Sequence, residues 1–281
     1  MINYFSLTVL ARCFQSFVII TILNGCEFGD NNSDNTDMTV KEPAQIRNVI
    51  KVLSFNIHAG KTVDGVLNLN AMADIINQSD ADIVALQEVD VNTNRGGKID
   101  MAKQLAEQTG MYYVFGEAMD FDGGQYGNAI LSKINLSHIE NIKLPLGKEP
   151  RAAIKANAML IGGESINVIS THFDAWGEVN RINSSYQLSD KFAVGNNLSL
   201  LIGDLNDVPL STTIQNLSAN WGLTDPNGDV PTFPASAPTK KIDYIMFYPQ
   251  KRWRVLDIQV INNTVSDHLP YLATLEVIDK S

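Results

Sequence analysis

The stretch from Ser199 to Asp207 (SLLIGDLND) constrains this chain more strongly than any other part of its sequence. A short apolar run is followed by Gly203 and then by acidic and amide residues, an order that predicts a buried strand opening onto a loop of oxygen ligands. In layered α/β proteins, functional groups collect at strand ends because the scaffold fixes their geometry there. We therefore expect a functional site after this strand, although turns favour Gly and Asp for purely structural reasons as well.

Residues 48–281 have the pattern of one folded domain with no internal linker or repeat. Strands outnumber helices, and several strands are apolar runs, which predicts two stacked sheets with helices outside. This is an α/β sandwich, and the 44% apolar content is enough for its core. Strands are predicted at 49–55, 82–88, 129–132, 152–160, 166–171, 199–204, 242–248, 255–261 and 271–277, and helices at 69–78, 101–108, 178–193 and 212–217.

The first 47 residues have the composition of an export signal followed by a tether. The apolar run 14–23 is short for a membrane span and resembles the core of a signal peptide within residues 1–26. The sequence Leu-Asn-Gly-Cys ending at Cys26 resembles a bacterial lipoprotein cleavage site, and a plain signal peptide with an incidental cysteine is the alternative. Residues 27–47 are acidic and rich in Asn, as expected for a flexible tether. We expect an exported protein, held at the outer membrane or cell surface by a lipid on Cys26, or otherwise periplasmic or secreted.

Polar residues that could support one reaction follow the predicted strands. A hard cation such as Mg²⁺ prefers carboxylate and amide oxygens, which Glu88 and Asn56 offer at the ends of two strands. Such a cation neutralises charge on a phosphate, and Asp204 could accept a proton from the attacking water. The pattern predicts metal-assisted hydrolysis of a phosphoester.

Two histidines and a second amide complete this set. Imidazoles titrate near neutral pH, so His172 and His268 could stabilise charge or move a proton. A neutral amide at Asn206 could hold the nucleophile or a phosphoryl oxygen without adding negative charge. Any one of these residues could be a turn former or a buried polar group, but their joint occurrence favours a site.

The motifs resemble those of the endonuclease/exonuclease/phosphatase superfamily, which has the deoxyribonuclease I-like fold. The resemblance spans about residues 49–277 in the family's order. The matching stretches are SFNIH (54–58), LQEVD (86–90), YGNAILS (126–132), STHFD (170–174), GDLN (203–206), KIDY (241–244) and SDH (266–268). The family implies a four-layer α/β/β/α sandwich of two mainly antiparallel sheets flanked by helices, with the site at one rim.

The resemblance also implies roles for individual residues. Glu88 would be the principal metal ligand, with Asn56 beside it and Asp267 near the metal, which would be Mg²⁺ or, as an alternative, Mn²⁺. Asp204 would orient or activate water, and Asn206 would hold it. Asp243 would hydrogen-bond His268, which contacts the phosphate, whereas His172 would be the second phosphate-facing histidine and a candidate acid for the leaving group.

Departures from the family pattern narrow the substrate class. His58 stands where the apurinic-site endonucleases carry an acidic residue, and those enzymes lack the histidine provided by His172. The chain is therefore closer to the deoxyribonuclease I, sphingomyelinase and sugar- or lipid-phosphatase branches. Candidate substrate-binding residues are Tyr126, Asn128, Arg95 and Arg151, and the two arginines could clamp a second phosphate or a polar headgroup.

Net charge decides between the remaining readings. The formal charge of -10 disfavours tight binding to a nucleic-acid backbone, so a small or lipid-derived phosphodiester or phosphomonoester is preferred. An extracellular DNA or RNA nuclease is the second reading, and it would need the basic clusters 240–241 and 251–254 to face the cleft. A non-catalytic binding module is the third, but it would be expected to have lost site residues that are all present here.

Overall fold

Twelve strands and four α-helices follow one another along residues 48–279, which are the residues that this computed structural model describes. The predicted signal peptide and tether lie outside the described residues. The strands are β1 (Val49–Asn56), β2 (Ile83–Val91), β3 (Tyr112–Phe121), β4 (Gly124–Ser132), β5 (Ser137–Lys143), β6 (Ala152–Met159), β7 (Ser165–His172), β8 (Leu198–Asp204), β9 (Gly222–Leu223), β10 (Asp243–Tyr248), β11 (Trp253–Val260) and β12 (Tyr271–Val277). The helices are α1 (Leu69–Ser79), α2 (Met101–Thr109), α3 (Glu178–Phe192) and α4 (Thr212–Ser218).

These strands form two six-stranded sheets. One sheet has the order β11-β12-β1-β2-β4-β3 and the other has the order β5-β6-β7-β8-β10-β9. Within the described residues, the pairs β1–β2 and β7–β8 are parallel and every other strand pair is antiparallel. The predicted sandwich of two mainly antiparallel sheets flanked by helices is confirmed.

Three apolar clusters hold four layers together. The inner faces of the two sheets meet through residues such as Val52 and Leu200, which are fully buried. Helices α1 and α2 cover the outer face of the first sheet, where Met72 packs in a cluster with Phe55. Helices α3 and α4 cover the second sheet through a cluster that includes Trp221. The alternation of side chains along each strand supplies the core between the sheets and the core under the helices.

Local capping signals set the ends of α1 and α2. The side chain of Asn68 accepts a hydrogen bond from the backbone N–H of Ala71, and Asp100 caps α2 in the same way. The second helix ends at Gly110, whose φ of 66° lies in the left-handed region that favours glycine. The boundaries of both helices therefore lie within a residue or so of the predicted ones.

The sequence did not reveal three of the four edge strands, β3, β5 and β9, whereas the edge strand β11 was predicted at 255–261. Strand β5 is exposed at every position except Ile142, so it lacks the apolar pattern from which a strand is recognised. Among the described residues, strand β3 pairs only with β4 and shows weak alternation, and β4 itself begins five residues earlier than position 129. Within the described part of the chain, no helix is both long enough and apolar enough to cross a membrane.

Candidate functional site

The register of β8 with β7 and β10 places three titratable side chains, His172, Asp204 and Asp243, in one row. His172 lies opposite Asp204 in the parallel pair β7–β8, and Asp243 lies opposite Asp204 in the antiparallel pair β8–β10. A Cβ at Gly203 would collide with the carbonyl oxygen of Thr171, so glycine allows β8 to approach β7 this closely. The stretch with which the sequence analysis began thus forms the centre of the row.

His268 connects two carboxylates of this row. Its Nδ1 is 2.9 Å from Asp243 Oδ2, and its Nε2 is 3.7 Å from Asp204 Oδ2. Burial disfavours the imidazolium, but the charges of Asp243 and Asp204 outweigh burial and raise the pKa of His268 to about 10. Ligand atoms of the three side chains lie within 4.8 Å of one another, so the cluster has the composition of a small cation site. When His268 is protonated, its imidazolium provides positive charge between the two carboxylates, as a bound cation would.

Asp204 is a buried carboxylate at the centre of the row, with 1% of its surface exposed. Its Oδ1 accepts a hydrogen bond from the backbone N–H of Asn206 at 2.9 Å, and its Oδ2 accepts one from Asn56 Nδ2 at 3.2 Å. Burial raises the pKa of Asp204 to about 7, although His268 opposes the shift. A carboxylate with this pKa can take up a proton near neutral pH.

Arg151 fixes the protonation state of His172. The guanidinium Nη1 lies 3.2 Å from His172 Nδ1. A guanidinium has only donors, so Nδ1 must accept, and the imidazole is neutral with its proton on Nε2. The proton on Nε2 faces Asp204 Oδ2 at 3.4 Å. The amide nitrogen of Asn206 lies 2.9 Å from the same Nε2 and donates to the carbonyl oxygen of Phe173 at 3.1 Å.

The two histidines therefore do not act as an interchangeable pair. Burial, Arg151 and His268 lower the pKa of His172 well below its usual range. His172 is a neutral hydrogen-bond donor, whereas His268 is a cation. The pKa values of the two imidazoles shift in opposite directions, because one faces an arginine and the other faces carboxylates.

The predicted metal ligands meet beside this row. Glu88 lies in a bulge of β2 with a φ of 56°, outside the usual region for a residue with a side chain. Its Oε1 accepts a hydrogen bond from Asn56 Nδ2 at 3.2 Å, and the carboxylates of Glu88 and Asp267 line the same cleft. The amide of Asn56 turns its nitrogen towards Glu88 and its oxygen towards the backbone N–H of His58, so the oxygen ligands on this side of the cleft are the carboxylates of Glu88 and Asp267, which fit Mg²⁺ or Mn²⁺.

These side chains line a cleft of about 320 Å³. Asn56 and Asp243 are buried beneath it, where they support Glu88 and His268. The cleft residues that the sequence predicted are Glu88, Arg95, Tyr126, Arg151, His172, Asp204, Asn206, Asp267 and His268, joined by Met119, Phe121, Glu149, Ala175, Trp176 and Phe233.

The two candidate arginines have different environments. Arg151 is buried and contacts Tyr126 Oη and Glu149 as well as His172, so it packs directly behind the row. Arg95 forms a two-point ion pair with Asp90, and its guanidinium lies 4.5 Å above the ring of Phe121. Both arginines line the cleft, and their role as a clamp for a second phosphate or a polar headgroup stays a prediction.

Asn128 is placed differently from the other candidates. Its amide nitrogen donates to the carbonyl oxygen of Ala152 at 2.8 Å, and only 2% of the residue is exposed. It links β4 to β6 across the two sheets and does not line the cleft. Its role as a substrate contact stays a prediction.

Part of the cleft wall comes from segments that carry no recognisable signal in the sequence. The ring of Phe233 lies 4.7 Å from that of His268, yet it comes from an irregular segment without any motif. Phe121 lies at the end of the unpredicted strand β3. The pairing of Asp90 with Arg95 had a signal, because both belong to one short polar stretch that begins at the end of β2, but burial of the acid decides the pairing and was not visible in the sequence.

Structural comparison finds the same architecture in solved bacterial proteins. An endonuclease/exonuclease/phosphatase from Beutenbergia cavernae is 22% identical, with a TM-score of 0.68 over 82% of this chain and 72% of that chain. One from Bacteroides vulgatus is 21% identical, with a TM-score of 0.68 over 82% of this chain and 99% of that chain. A mannosyl-6-phosphatase from Bacteroides thetaiotaomicron is 18% identical, with a TM-score of 0.63 over 80% and 99% of the two chains.

Sequence comparison identifies the family. Among curated proteins, no sequence matches this chain. The model of the endonuclease/exonuclease/phosphatase family matches residues 53–268, a range that begins in β1 and ends at His268. That range contains the row, the residues that line the cleft and the residues that support them. This chain therefore belongs to the endonuclease/exonuclease/phosphatase family.

Proposed function

We propose that this protein is a Mg²⁺-dependent phosphohydrolase in which water attacks a phosphodiester or phosphomonoester. The observation that carries the proposal is the register-fixed row of His172, Asp204 and Asp243, which shares a cleft with Glu88 and Asp267. Members of this family are phosphoester hydrolases, and the donor set beside the row fits the divalent cation that such hydrolysis uses.

The cation would be held by Glu88 and Asp267, with Asn56 beside them, and it would supply positive charge to a phosphate oxygen. Asp204 would be the proton acceptor for the attacking water, because its pKa of about 7 lets it take a proton at neutral pH. Asn56 donates to both Glu88 and Asp204, so it couples the position of the metal ligand to that of the base.

The remaining residues stabilise charge on the phosphoryl group. His268 presents an imidazolium that Asp243 holds at 2.9 Å, and its charge persists across neutral pH. His172 presents a neutral Nε2–H in a position that Arg151 fixes from behind. Asn206 follows β8 with a φ of 50°, a strained conformation that turns its amide towards the same space.

A small or lipid-derived substrate is favoured over a long polynucleotide. The net charge of -10 opposes backbone binding. Two residues of the basic clusters that a nuclease would need, Lys241 and Arg252, are buried, and Arg252 pairs with Glu164. A third, Arg254, pairs with Glu276, so these clusters do not form a continuous basic groove beside the cleft.

We further propose that the protein acts outside the cytoplasm, attached to the outer membrane or cell surface through Cys26. The apolar run 14–23 and the sequence ending at Cys26 support export and lipidation. A tether of residues 27–47 would then separate the catalytic domain from the lipid surface. Radiolabelled palmitate incorporation in cells, lost in C26S, is the expected result, and a protein released in soluble form with no label would contradict the anchor.

Hydrolysis by the purified protein, with Mg²⁺ and with EDTA, tests the enzymatic proposal. The substrates are plasmid DNA, RNA, sphingomyelin, inositol phosphates and a chromogenic phosphodiester. We expect EDTA-sensitive release of phosphate or alcohol from a small or lipid substrate, with DNA untouched. EDTA-sensitive nicking of plasmid at low enzyme concentration would instead identify a nuclease, and no metal-dependent turnover would leave a binding module.

Variants of the row sharpen this test. D204N and H268A should each lower kcat by roughly 10²–10⁴-fold, because each removes a proton acceptor or a cation from the reacting group. D257N and H138A are matched controls, since both residues are exposed and lie outside the cleft. Full activity in D204N or H268A, with the fold intact by circular dichroism, would contradict the mechanism.

A further inference from the structure

The cleft contains a guanidinium that the proposed hydrolysis does not use. Arg95 lines the cleft with 34% of its side chain exposed, whereas Arg151 is committed to His172 and Glu149. Arg95 is therefore the cleft guanidinium that is accessible to a ligand.

Arg95 is held rigidly at its inner edge. Its Nε lies 2.7 Å from Asp90 Oδ2 and its Nη2 lies 2.9 Å from Asp90 Oδ1, which is a two-point ion pair with a fully buried carboxylate. Thr93 Oγ1 donates to the same carboxylate at 2.8 Å. The backbone N–H of Arg95 donates to Asp122 at 2.6 Å, so the main chain is held as well as the side chain.

The faces of the guanidinium are supported by aromatic rings. The central carbon lies 4.5 Å from the ring centroid of Phe121 and 5.6 Å from that of Tyr126. Contact with two rings restricts the movement of the guanidinium and removes water from beside it. Orientation in a given plane lowers the entropy lost when a ligand binds.

The outer edge of the guanidinium remains free. A guanidinium has five N–H donors, and Asp90 engages one on Nε and one on Nη2. The two donors of Nη1 and the second donor of Nη2 have no hydrogen-bond partner among residues 48–279. This edge offers only donors, a pattern that matches an anionic oxygen pair and not a neutral hydroxyl network.

We infer that Arg95 receives a second anionic group of the substrate, so that the substrate is a small phosphoester carrying another phosphate or a carboxylate. This inference rests on the proposed function, because it assigns the reacting phosphate to the row beside Glu88. The linker between the two anionic groups would run along Met119 and Phe121, the apolar part of the wall. A cleft of about 320 Å³ accommodates such a molecule as a whole.

The inference is tested by binding, measured by titration calorimetry with Mg²⁺ and with EDTA. The probes are alkane diphosphonates of two to six carbons, each compared with the monophosphonate of the same length. A charge-assisted contact predicts that, at one chain length, the diphosphonate binds about tenfold tighter or more. The measured quantity is the ratio of the affinity of the diphosphonate to that of the monophosphonate of the same length. A ratio of about two at every length, which is the statistical value for two equivalent ends, would overturn the inference.

Variants assign the effect to Arg95. R95M alone would leave Asp90 buried without its partner, so the double variant D90N/R95M removes the ion pair as a neutral unit. We expect its ratio to fall to about two, while F121L, which keeps both charges, lowers the ratio less. R254M is the matched control, because Arg254 is an exposed arginine in an ion pair on β11. An unchanged ratio in D90N/R95M, with its melting transition retained, would overturn the inference.

The binding test separates this inference from the proposed function. A protein that binds diphosphonates preferentially through Arg95 but hydrolyses no ester would retain the anion site and lose the proposed function. A protein that hydrolyses esters but shows a ratio of about two would retain the function and lose the second anionic group. Absence of any phosphonate binding would overturn the inference.

Discussion

At the scale of single residues, one buried contact decides the chemistry of His172. A sequence with two histidines near a phosphate suggests two titrating groups, but a guanidinium on Nδ1 allows only the neutral imidazole with the proton on Nε2. Sequence motifs identify residue types and their order along the chain. They do not reveal which side chain lies behind an imidazole, because that depends on packing between β6 and β7.

R151M tests this contact. Without the guanidinium, Nδ1 loses its donor and the two neutral tautomers of His172 compete, so we expect kcat to fall by roughly 10–100-fold with a smaller change in KM. The decisive measurement is the ¹⁵N spectrum of the histidine rings. Nδ1 of His172 should be unprotonated in the wild type and partly protonated in R151M. R254M should leave the spectrum unchanged, and a protonated Nδ1 in the wild type would contradict the assignment.

Lys241 is a buried cation, and its burial lowers the free energy of unfolding by an amount that depends on pH. Its Nζ has no hydrogen-bond partner among the described residues, lies 4.0 Å from Asp225 and sits 3.1 Å from the ring centroid of Tyr271. Burial lowers its pKa to about 7, although Asp225 and Asp243 oppose the shift. Asp225 has backbone N–H donors of its own, so it is not left unpaired when the lysine is removed.

We therefore expect K241M to be stabilised relative to the wild type at pH 6. The folded pKa of about 7 lies below the unfolded value of 10.5, so the cost is fully present below pH 7. Between pH 7 and 10.5 the unfolded chain binds more protons, and the stability of the wild type rises with pH. The advantage of K241M should be about 1–3 kcal/mol at pH 6, after allowance for the cation–π contact, and smaller at pH 9.5. Urea unfolding at both pH values measures it, and an advantage that grows with pH would contradict the argument.

At the scale of elements, the central strands could be predicted, but three of the four edge strands, β3, β5 and β9, could not. Strands β1, β2, β7 and β8 are apolar because both of their faces are buried, and burial leaves a direct trace in the sequence. The exposed strand β5 leaves none. Register is also invisible in one sequence, yet register is what brings His172 and Asp243 to the two sides of Asp204.

G203A tests the dependence of the site on this register. The φ of 150° and the collision of a Cβ with Thr171 would force β7 and β8 apart at the position next to Asp204. We expect a loss of about 1–3 kcal/mol in unfolding free energy and a disproportionate loss of activity. G65A is the control, since Gly65 also has a positive φ, of 78°, but nothing lies within 4 Å of its Cβ position. Equal effects of the two variants on activity would show that the close approach of the strands is not needed.

At the scale of the whole molecule, the two sheets cooperate to concentrate negative charge at one rim. The first sheet contributes Glu88 and the second contributes Asp204, with Asn56 donating to both. Carboxylates this close repel one another unless a cation lies between them. The sequence predicted this set because the resemblance spans the whole domain, whereas the wall formed by Phe121 and Phe233 comes from segments with no motif.

Cation binding should therefore stabilise the folded protein by an amount that rises with the logarithm of the free Mg²⁺ concentration above Kd. At a Mg²⁺ concentration about a hundred times Kd, linkage predicts about 2.7 kcal/mol, which corresponds to a rise in Tm of roughly 5–10 °C for a domain of this size. E88Q should abolish most of the rise, because it removes a carboxylate ligand while keeping the shape of the side chain. E149Q is the control: Glu149 lines the same cleft but pairs with Arg151, so its variant should keep the rise. Differential scanning calorimetry with Mg²⁺ and with EDTA distinguishes these cases, and a rise that survives in E88Q would place the cation away from Glu88.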